Sequence, residues 1–183
     1  MNISQLQVAF VPEHDRLLFR VSTSDSAEVR AWLTRRMIKL LWPSLMDAIN
    51  RLVAKEKPAA APQAREMIAE MKREASLKDS DFSKPFQPQA ASYPLGEEPI
   101  LVSNVDLQPL DGGQMRVSFR PASGQGVDIA MGEQLLHAFC KLLQQGCAQA
   151  EWDIRLVFPG EQPATPAAEA EAEPPGDRPK YLN

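Results

Sequence analysis

Residues 16–49, RLLFRVSTSDSAEVRAWLTRRMIKLLWPSLMDAI, carry the pattern that decides the fold. The first part alternates apolar with polar side chains, which is the period of a strand that buries one face. From Arg35 onward the apolar residues recur every three or four positions, which is typical of an amphipathic helix. Residues 114–147, QMRVSFRPASGQGVDIAMGEQLLHAFCKLLQQGC, repeat this order 98 positions later without a gap. The pattern predicts two units in which antiparallel strands precede a helix.

One more strand is predicted in front of each stretch. Val8 and Phe10 alternate with polar or small neighbours before the first stretch, and Val102, Val105 and Leu107 mark a strand before the second. The fold class is therefore α+β, with two pseudo-repeated β-β-β-α units and antiparallel sheets. Identical residues are few, so two explanations stay open: a duplicated unit, and two common motifs that match by chance. Neither unit is large enough to be stable alone, so we expect the units to pack together or to join their sheets in a homodimer.

Proline marks the boundaries between the ordered parts. Of the 16 prolines, six fall between Pro58 and Pro99 and six between Pro159 and Pro179. Segments rich in proline, alanine and charge bury too little apolar surface to fold alone. We predict a first β-β-β-α unit at 1–57, a linker at 58–99 with a charged helix at about 63–78, a second unit at 100–158, and a disordered acidic tail at 159–183.

Two shorter features complete the predicted organisation. Apolar residues alternate from Trp152 to Phe158, so we predict a strand that closes the second unit. Serine, proline and glutamine dominate residues 80–92, and Phe82, Phe86 and Tyr93 lie among or beside them. This stretch is predicted to be extended, and two states stay open: loose chain, or chain pinned to the rest of the protein by its aromatic side chains.

Charge and composition favour a globular protein that contacts no membrane. Apolar residues make up 44% and charged residues 24% of the chain, and the net charge is −4. Strong nucleic-acid binders are usually basic, so this balance argues mildly against that function. The N-terminus has no signal-peptide pattern, no apolar run reaches the roughly 20 residues of a membrane span, and both cysteines are expected to be free thiols. We therefore expect a cytoplasmic location.

Catalytic and metal-binding motifs are missing from the sequence. His14 and His137 each lack a second histidine or a cysteine at metal-ligand spacing. No serine or cysteine lies in a nucleophile motif, and the glycines at 112–113 and 124–126 fit turns rather than a phosphate loop. We predict no catalytic residue, no metal and no cofactor, and therefore a non-enzymatic protein. An enzyme with an unrecognised site is the third-ranked alternative.

The sheet face away from the helices carries the main binding candidates. In the first unit this face presents Arg20, Arg30 and Trp32, and in the second it presents Arg116 and Arg120. Arginines beside an exposed tryptophan suit single-stranded nucleic acid, because cations neutralise phosphate and the ring stacks on bases. The plainer interpretation is that the arginines are solvated and that the other unit covers the tryptophan.

The start of the first helix is a second candidate site. Arg35, Arg36 and Lys39 lie in its first turns, where the helix dipole favours anions, so phosphate is a candidate ligand. An ordinary solvated helix face is the alternative. The matching positions of the second unit include Glu133 and Gln134, so such a site would belong to the first unit alone.

The C-terminal tip is a third candidate. Lys180, Tyr181 and Leu182 follow an acidic stretch rich in alanine and proline. An apolar tip on a flexible tether can dock on a partner protein, and its layout resembles the partner-binding tails of single-strand-binding proteins. A terminus without a role is the alternative.

Together these features favour an interaction or adaptor module that binds another protein through its sheet face and its C-terminal tail. The alternative function is single-stranded nucleic-acid binding. Duplicated β-rich units, each followed by a helix, resemble the Whirly and Pur-type arrangement in topology, although no motif is shared.

Overall fold

The protein is described by a computed structural model over residues 2–56, 58–78, 86–87 and 90–158. Its fold is α+β, with a mixed six-stranded sheet and helices. The linker helix begins within one residue of its predicted start. In chain order the elements are β1 (Ile3–Val11), β2 (Arg16–Thr23), β3 (Glu28–Leu33), α1 (Arg35–Glu56), α2 (Pro62–Lys78), β4 (Ile100–Pro109), β5 (Met115–Pro121), β6 (Val127–Met131) and α3 (Glu133–Gln149).

The sheet joins two three-stranded meanders edge to edge. β1, β2 and β3 pair antiparallel in sequence order, and so do β4, β5 and β6. The meanders meet through a short parallel contact that pairs Ala31 with Ile100 and Trp32 with Leu101. The predicted antiparallel pairing therefore holds inside each half, but the two halves share one mixed sheet instead of forming separate ones.

Alternation along the strands separates an inner, apolar face from an outer face. Every second residue of β2, β3, β5 and β6 is buried on the helix side, as the sequence predicts. A fully buried aliphatic or aromatic side chain contributes about 1.5–3 kcal/mol, so this face supplies much of the stability. The inner side chains are Leu17, Phe19, Val21, Val29, Ala31, Leu33, Met115, Val117, Phe119, Val127, Ile129 and Met131.

The sheet curls, so the two halves share one core. Neighbouring strands lie about 4.8 Å apart, and β2 and β5 would therefore lie roughly 14 Å apart in a flat sheet. The ring centroids of Phe19 on β2 and Phe119 on β5 nevertheless lie only 5.1 Å apart. Phe139 of α3 lies 5.1 Å from the first ring and 6.1 Å from the second. These three rings form a phenylalanine cluster to which both halves contribute.

The helices α1 and α3 each pack on a strand of the opposite half. α3, which follows β6, lies on β1, and α1, which follows β3, lies on β4. At Gly146 of α3 an added Cβ atom would come within 3.1 Å of Leu17 and 3.2 Å of Val8, so glycine permits this close approach. The halves are therefore interlocked, and the buried side chains form one continuous core.

The linker helix α2 packs on both α1 and α3. Lys72 forms ion pairs with Glu56 at the end of α1 and with Glu133 at the start of α3, the latter at 2.9 Å. Burial alone would lower the pKa of Lys72, but hydrogen bonds to the two carboxylates raise it, so the ammonium stays charged between them. α2 thereby links the end of one core helix to the start of the other.

The closing strand predicted at 152–158 is wrong. These residues form no strand and lie against α1 and α3 instead. Trp42 Nε1 donates a hydrogen bond to Val157 O at 3.1 Å, and Gln144 Nε2 donates to Leu156 O at 2.7 Å. One-sided burial produces alternation in any extended chain, so the pattern fitted a strand although no neighbouring strand pairs with it.

Two predictions about organisation stay predictions. Both halves show the element order β-β-β-α, but a common origin of the halves is not thereby established. The tail at 159–183 lies outside the described residues, and so does its proposed motif of Lys180, Tyr181 and Leu182.

Candidate interaction surface on the outer sheet face

The strand register brings three of the predicted binding residues together on the outer face of the first half. Arg20 lies opposite Arg30, and Leu18 lies opposite Trp32, because β2 and β3 pair in an unbroken antiparallel register. β1 adds Gln7 opposite Arg20. Gln7, Arg20 and Arg30 therefore form a row across the first half, called the arginine row here. An apolar row lies two residues away along each strand.

The apolar row consists of Ala9, Leu18 and Trp32 of the first half, and it is extended by Leu101 of β4 at the join with the second half. It crosses β1, β2, β3 and β4, since each residue pairs in register with the next. None of the four residues is fully buried, and Leu101 is 45% exposed. The ring of His14, from the turn between β1 and β2, lies 4.9 Å from the Trp32 ring. Contiguous apolar surface of this kind typically marks an interaction site.

Arg20 contacts the protein's own linker. Its Nε atom donates a hydrogen bond to Gln7 Oε1 at 2.8 Å, and its guanidinium lies 4.2 Å from the centroid of the Phe86 ring. Such cation–π contacts contribute about 0.5–1 kcal/mol at exposed sites and more where water is excluded. Burial lowers the pKa of Arg20, and the nearby Glu28 carboxylate opposes that effect. The guanidinium is thus held between a sheet side chain and an aromatic ring.

Arg30 is held in the same way. Its Nε atom donates to Glu28 Oε1 at 2.7 Å, and its Nη2 atom donates to Tyr93 Oη at 2.9 Å. The guanidinium carbon lies 4.5 Å from the centroid of the Tyr93 ring. The hydrogen bond to Glu28 raises the pKa of Arg30, although burial opposes it.

Residues 86–87 and 90–97 form a cover segment, which supplies both rings. Its main chain is bound as well, because Ala91 N and Ser92 N donate hydrogen bonds to Ser26 O at 2.7 and 3.3 Å. Of the two states that the sequence left open for this stretch, its described part is pinned, by Phe86 and Tyr93. Phe82 lies outside the described residues.

Sequence reasoning missed Glu28, an acid that lies beside the two arginines. Its side chain is 0% exposed, with Oε1 bound to Arg30 and with no hydrogen-bond partner for Oε2 in the described residues. Ser22, directly opposite on β2, has a buried Oγ atom that also lacks a partner there. A glutamate at the start of a strand ordinarily indicates a solvated position, and only its arginine neighbours point to burial.

Arg116 and Arg120 lie on the outer face of the other half, two or three strands away from the first arginine row. Arg120 Nη2 forms an ion pair with Asp128 Oδ1 at 2.5 Å, so its charge is balanced locally. Arg116 is exposed. The structure therefore divides the predicted arginine platform into two separate groups.

The basic residues predicted at the helix start, Arg35, Arg36 and Lys39, are exposed on α1. Thr34 Oγ1 accepts a hydrogen bond from Met37 N at 3.2 Å, so this threonine caps the helix and already satisfies one N–H group of the first turn. A phosphate site at this helix start stays a prediction.

His137 lies in the core near the start of α3 and is 1% exposed. Neither ring nitrogen has a hydrogen-bond partner in the described residues, and Nε2 lies 4.0 Å from Glu133 Oε1. Burial, together with the charges of Arg73 and Lys72, lowers the pKa of His137 to about 4. The neutral ring therefore belongs to the core, and the described residues contain no group of three side chains placed to hold a metal ion.

A scan against protein-family models finds no match for this chain, and comparisons with the curated proteins and with the solved structures find none either. What the fold and the surface define is a structural class: an α+β protein with a curled mixed sheet, helices on its inner face and a partly covered outer face. Within the described ranges, no helix is long and apolar enough to cross a membrane.

Proposed function

We propose that this protein is a non-enzymatic interaction module that binds another protein through the outer sheet face of its first half, with the C-terminal tail as a second contact. The observation that carries the proposal is the apolar row, which crosses four strands on the side of the sheet away from the helices. A contiguous, partly exposed apolar row of this kind is typical of a surface that a partner covers. The proposal places the protein in the cytoplasm.

The residues around the apolar row suit a protein partner. Tryptophan and arginine are enriched at the centres of protein interfaces, where a few such residues supply most of the binding free energy. Trp32 lies within the row, between Leu18 and Leu101 on the neighbouring strands, and Arg30 lies two residues away on the same strand. A partner that covered the row would remove apolar surface from water at about 25 cal/mol per Å².

The tail enters the proposal from its sequence alone. Residues 161–183 carry five acids and two bases, a net charge of −3, and end near Tyr181 and Leu182. A tethered second contact raises the overall affinity, because the first contact holds the second at high effective concentration. A second copy of this chain, as a homodimer, is the alternative to a different protein partner.

Single-stranded nucleic-acid binding is the second candidate function, and Trp32 beside arginines is the feature that favours it. Two observations weigh against it: Arg20 and Arg30 already contact the cover segment, and the buried carboxylate of Glu28 lies beside them. We expect no mobility shift of single-stranded DNA at micromolar protein and low salt. A salt-dependent shift that Trp32→Ala weakens would replace the proposal with this alternative.

Replacing Trp32 by alanine is expected to remove partner binding while leaving the protein folded, because the ring lies outside the core. Affinity purification from an extract of the source cells, quantified by mass spectrometry, should show a specific partner reduced by about tenfold or more, as for the loss of an interface hot spot. Met71→Ala, at a position that is 69% exposed on α2, is the matched control and should retain the partner.

A partner list that is unchanged by Trp32→Ala would contradict the sheet-face proposal. Deleting residues 177–183 tests the tail separately, and we expect the same partner to be reduced but still detected. An unchanged amount of partner after this deletion would remove the tail from the proposal.

A further inference from the structure

We infer that the outer face of the first half binds a peptide segment of another protein that presents aromatic side chains to Arg20 and Arg30, and that the cover segment is a built-in competitor for this site. The inference rests on the proposed function and names the kind of partner. Its starting point is that residues 86–87 and 90–97 already occupy the site with this chemistry.

The two arginines form a paired receptor for aromatic rings. The rings of the cover segment lie with their centroids 4.2 and 4.5 Å from the Cζ atoms of Arg20 and Arg30. Each guanidinium is oriented by a side chain of the sheet itself, Arg20 by Gln7 and Arg30 by Glu28. Because these anchors do not belong to the cover segment, the guanidinium groups stay oriented when the rings leave.

The start of β3 offers main-chain hydrogen bonds to an added segment. β4 pairs with β3 only near the C-terminal end of β3. At the other end, Ser26 O accepts hydrogen bonds from Ala91 N and Ser92 N. Glu28 N donates to Ser92 O at 3.0 Å. A peptide that replaces the cover segment would gain the same bonds, which is the recognition mode of strand addition to a sheet edge.

The described part of the cover segment fills the site incompletely. A cavity of about 200 Å³ lies between it and the sheet, lined on one side by Gln5 and Ser22 and on the other by Gln87 and Ala90. Ser22 Oγ, and Glu28 Oε2 opposite it, are buried without a hydrogen-bond partner in the described part of the chain. Buried polar atoms without partners cost free energy, so a segment that supplies donors to them would compete well against the cover.

The charges of the site indicate which residues the partner segment carries besides its aromatic ones. On the sheet itself, the described residues place one carboxylate, that of Glu28, beside Arg20 and Arg30, so the sheet side of the site is positively charged. The cover segment places Glu97 beside this positive charge. The carbonyl oxygen of Glu97 accepts a hydrogen bond from Arg30 Nη1 at 3.2 Å, and its carboxylate raises the pKa of Arg30 further. The expected partner segment therefore combines aromatic side chains with acidic residues.

A labelled peptide with the sequence of residues 84–98 tests the inference in trans. The receptor is the full chain carrying Phe86→Ala and Tyr93→Ala, which removes both rings and keeps both arginines. Fluorescence anisotropy should show that the peptide binds this opened variant, and that it binds the wild type at least about tenfold more weakly. In the wild type the protein's own cover segment competes with the peptide for the site at millimolar effective concentration. A peptide with both aromatic residues replaced by alanine should bind the opened variant at least about tenfold more weakly.

Matched variants separate stacking from charge. In the opened chain, Arg30→Lys keeps the charge and loses the planar stacking surface, so peptide binding should fall by about tenfold. Arg120→Lys, on the outer face of the other half, should leave it unchanged. Circular dichroism checks the fold of each variant, and Tyr93→Ala alone replaces the opened variant if the double change unfolds the chain.

The inference is overturned if a folded opened variant does not bind the peptide. That result can occur even when Trp32→Ala still loses its partner, so the inference can be wrong while the proposed function holds. Equal binding of the alanine-substituted peptide would likewise overturn it. Dimerisation of the wild type that disappears in the opened variant would make a second copy of the chain the occupant, and would also overturn the assignment to a different protein.

Discussion

Phe119→Ala is expected to lower the free energy of unfolding by about 3–5 kcal/mol, because truncating a fully buried phenylalanine removes its transfer free energy and leaves a cavity. Phe119 is 0% exposed and contacts Phe19 from the first half and Phe139 from α3. Since α3 packs on β1, the cavity would loosen the contact of both halves with this helix. The loss should therefore destabilise the whole protein, including the first half.

Urea denaturation followed by tryptophan fluorescence and by circular dichroism measures this loss. Trp32 and Trp42 lie in the first half and Trp152 lies in the second, so both proteins also carry Trp152→Phe, and fluorescence then reports a region remote in sequence from Phe119. In Phe119→Ala both signals should change together in one transition, at a lower urea concentration than in the protein that retains Phe119. Phe86→Ala, which removes a ring outside the core, is the control and should cost about 1 kcal/mol or less. Two separate transitions, with the tryptophan signal unmoved, would show that the halves fold independently.

His137→Leu is expected to raise the free energy of unfolding at pH 7 by about 1–2 kcal/mol. The wild type buries an imidazole ring whose two nitrogens have no hydrogen-bond partner in the described residues, and leucine places an apolar side chain there instead. Most substitutions of buried residues destabilise a protein, so the direction of the effect is the informative part. The charged groups near the ring among the described residues are Glu133, whose Oε1 atom lies 4.0 Å from Nε2, and the side chains of Lys72 and Arg73.

The same ring makes the wild type sensitive to acid. The pKa of His137 is about 4 in the folded protein, mainly because of burial, and about 6.5 in an unfolded chain. The unfolded chain therefore binds a proton that the folded chain does not, so stability present above pH 6.5 is lost as the pH falls towards 4. This difference amounts to roughly 3 kcal/mol at most.

Urea denaturation of both proteins between pH 7 and pH 4 isolates this effect. Carboxylates titrate in both proteins, so the difference between the two pH profiles belongs to His137. We expect the gap between His137→Leu and the wild type to widen steadily below pH 6.5. Parallel profiles would mean that the histidine is protonated in the folded core or has a partner there.

Strand and helix periods predicted most of the fold, and long-range contacts were the part that they could not predict. Alternation in β2 and β5 and the three-to-four spacing in α1 and α3 depend on burial of one face, which each segment encodes alone. The joining of the two meanders depends on two residue pairs, Ala31 with Ile100 and Trp32 with Leu101, and such a short parallel contact leaves no periodic signal. The packing of α1 on β4 and of α3 on β1 likewise joins segments that are far apart in sequence, so no single segment predicts it.

The candidate surface was predictable in its residues but not in its surroundings. Alternation placed Arg20, Arg30 and Trp32 on one face, and the register of β2 and β3 brings them together there. The sequence could not show that Phe86 and Tyr93 stack on the arginines, because contacts made by a proline-rich linker follow no period. For the same reason Glu28, which is buried beside both arginines, was not recognised as part of the surface.

The two outer faces also differ in a way that bears on function. In the first half the apolar row and the arginine row lie side by side, whereas in the second half Arg120 is paired with Asp128 and Ala130 lies where the first half has Trp32. Two halves with the same element order therefore present different surfaces. We expect the first half to hold the contact with the partner.

Site-specific photo-crosslinking tests this central claim most directly. A photoreactive phenylalanine analogue would replace Leu18, which is partly exposed in the apolar row on β2, or Ala130, which is exposed on the outer face of β6. After irradiation in an extract of the source cells, we expect a discrete crosslinked product with the partner from position 18 and none from position 130. Crosslinking from position 130 alone, or equally from both positions, would contradict the assignment of the contact to the first half.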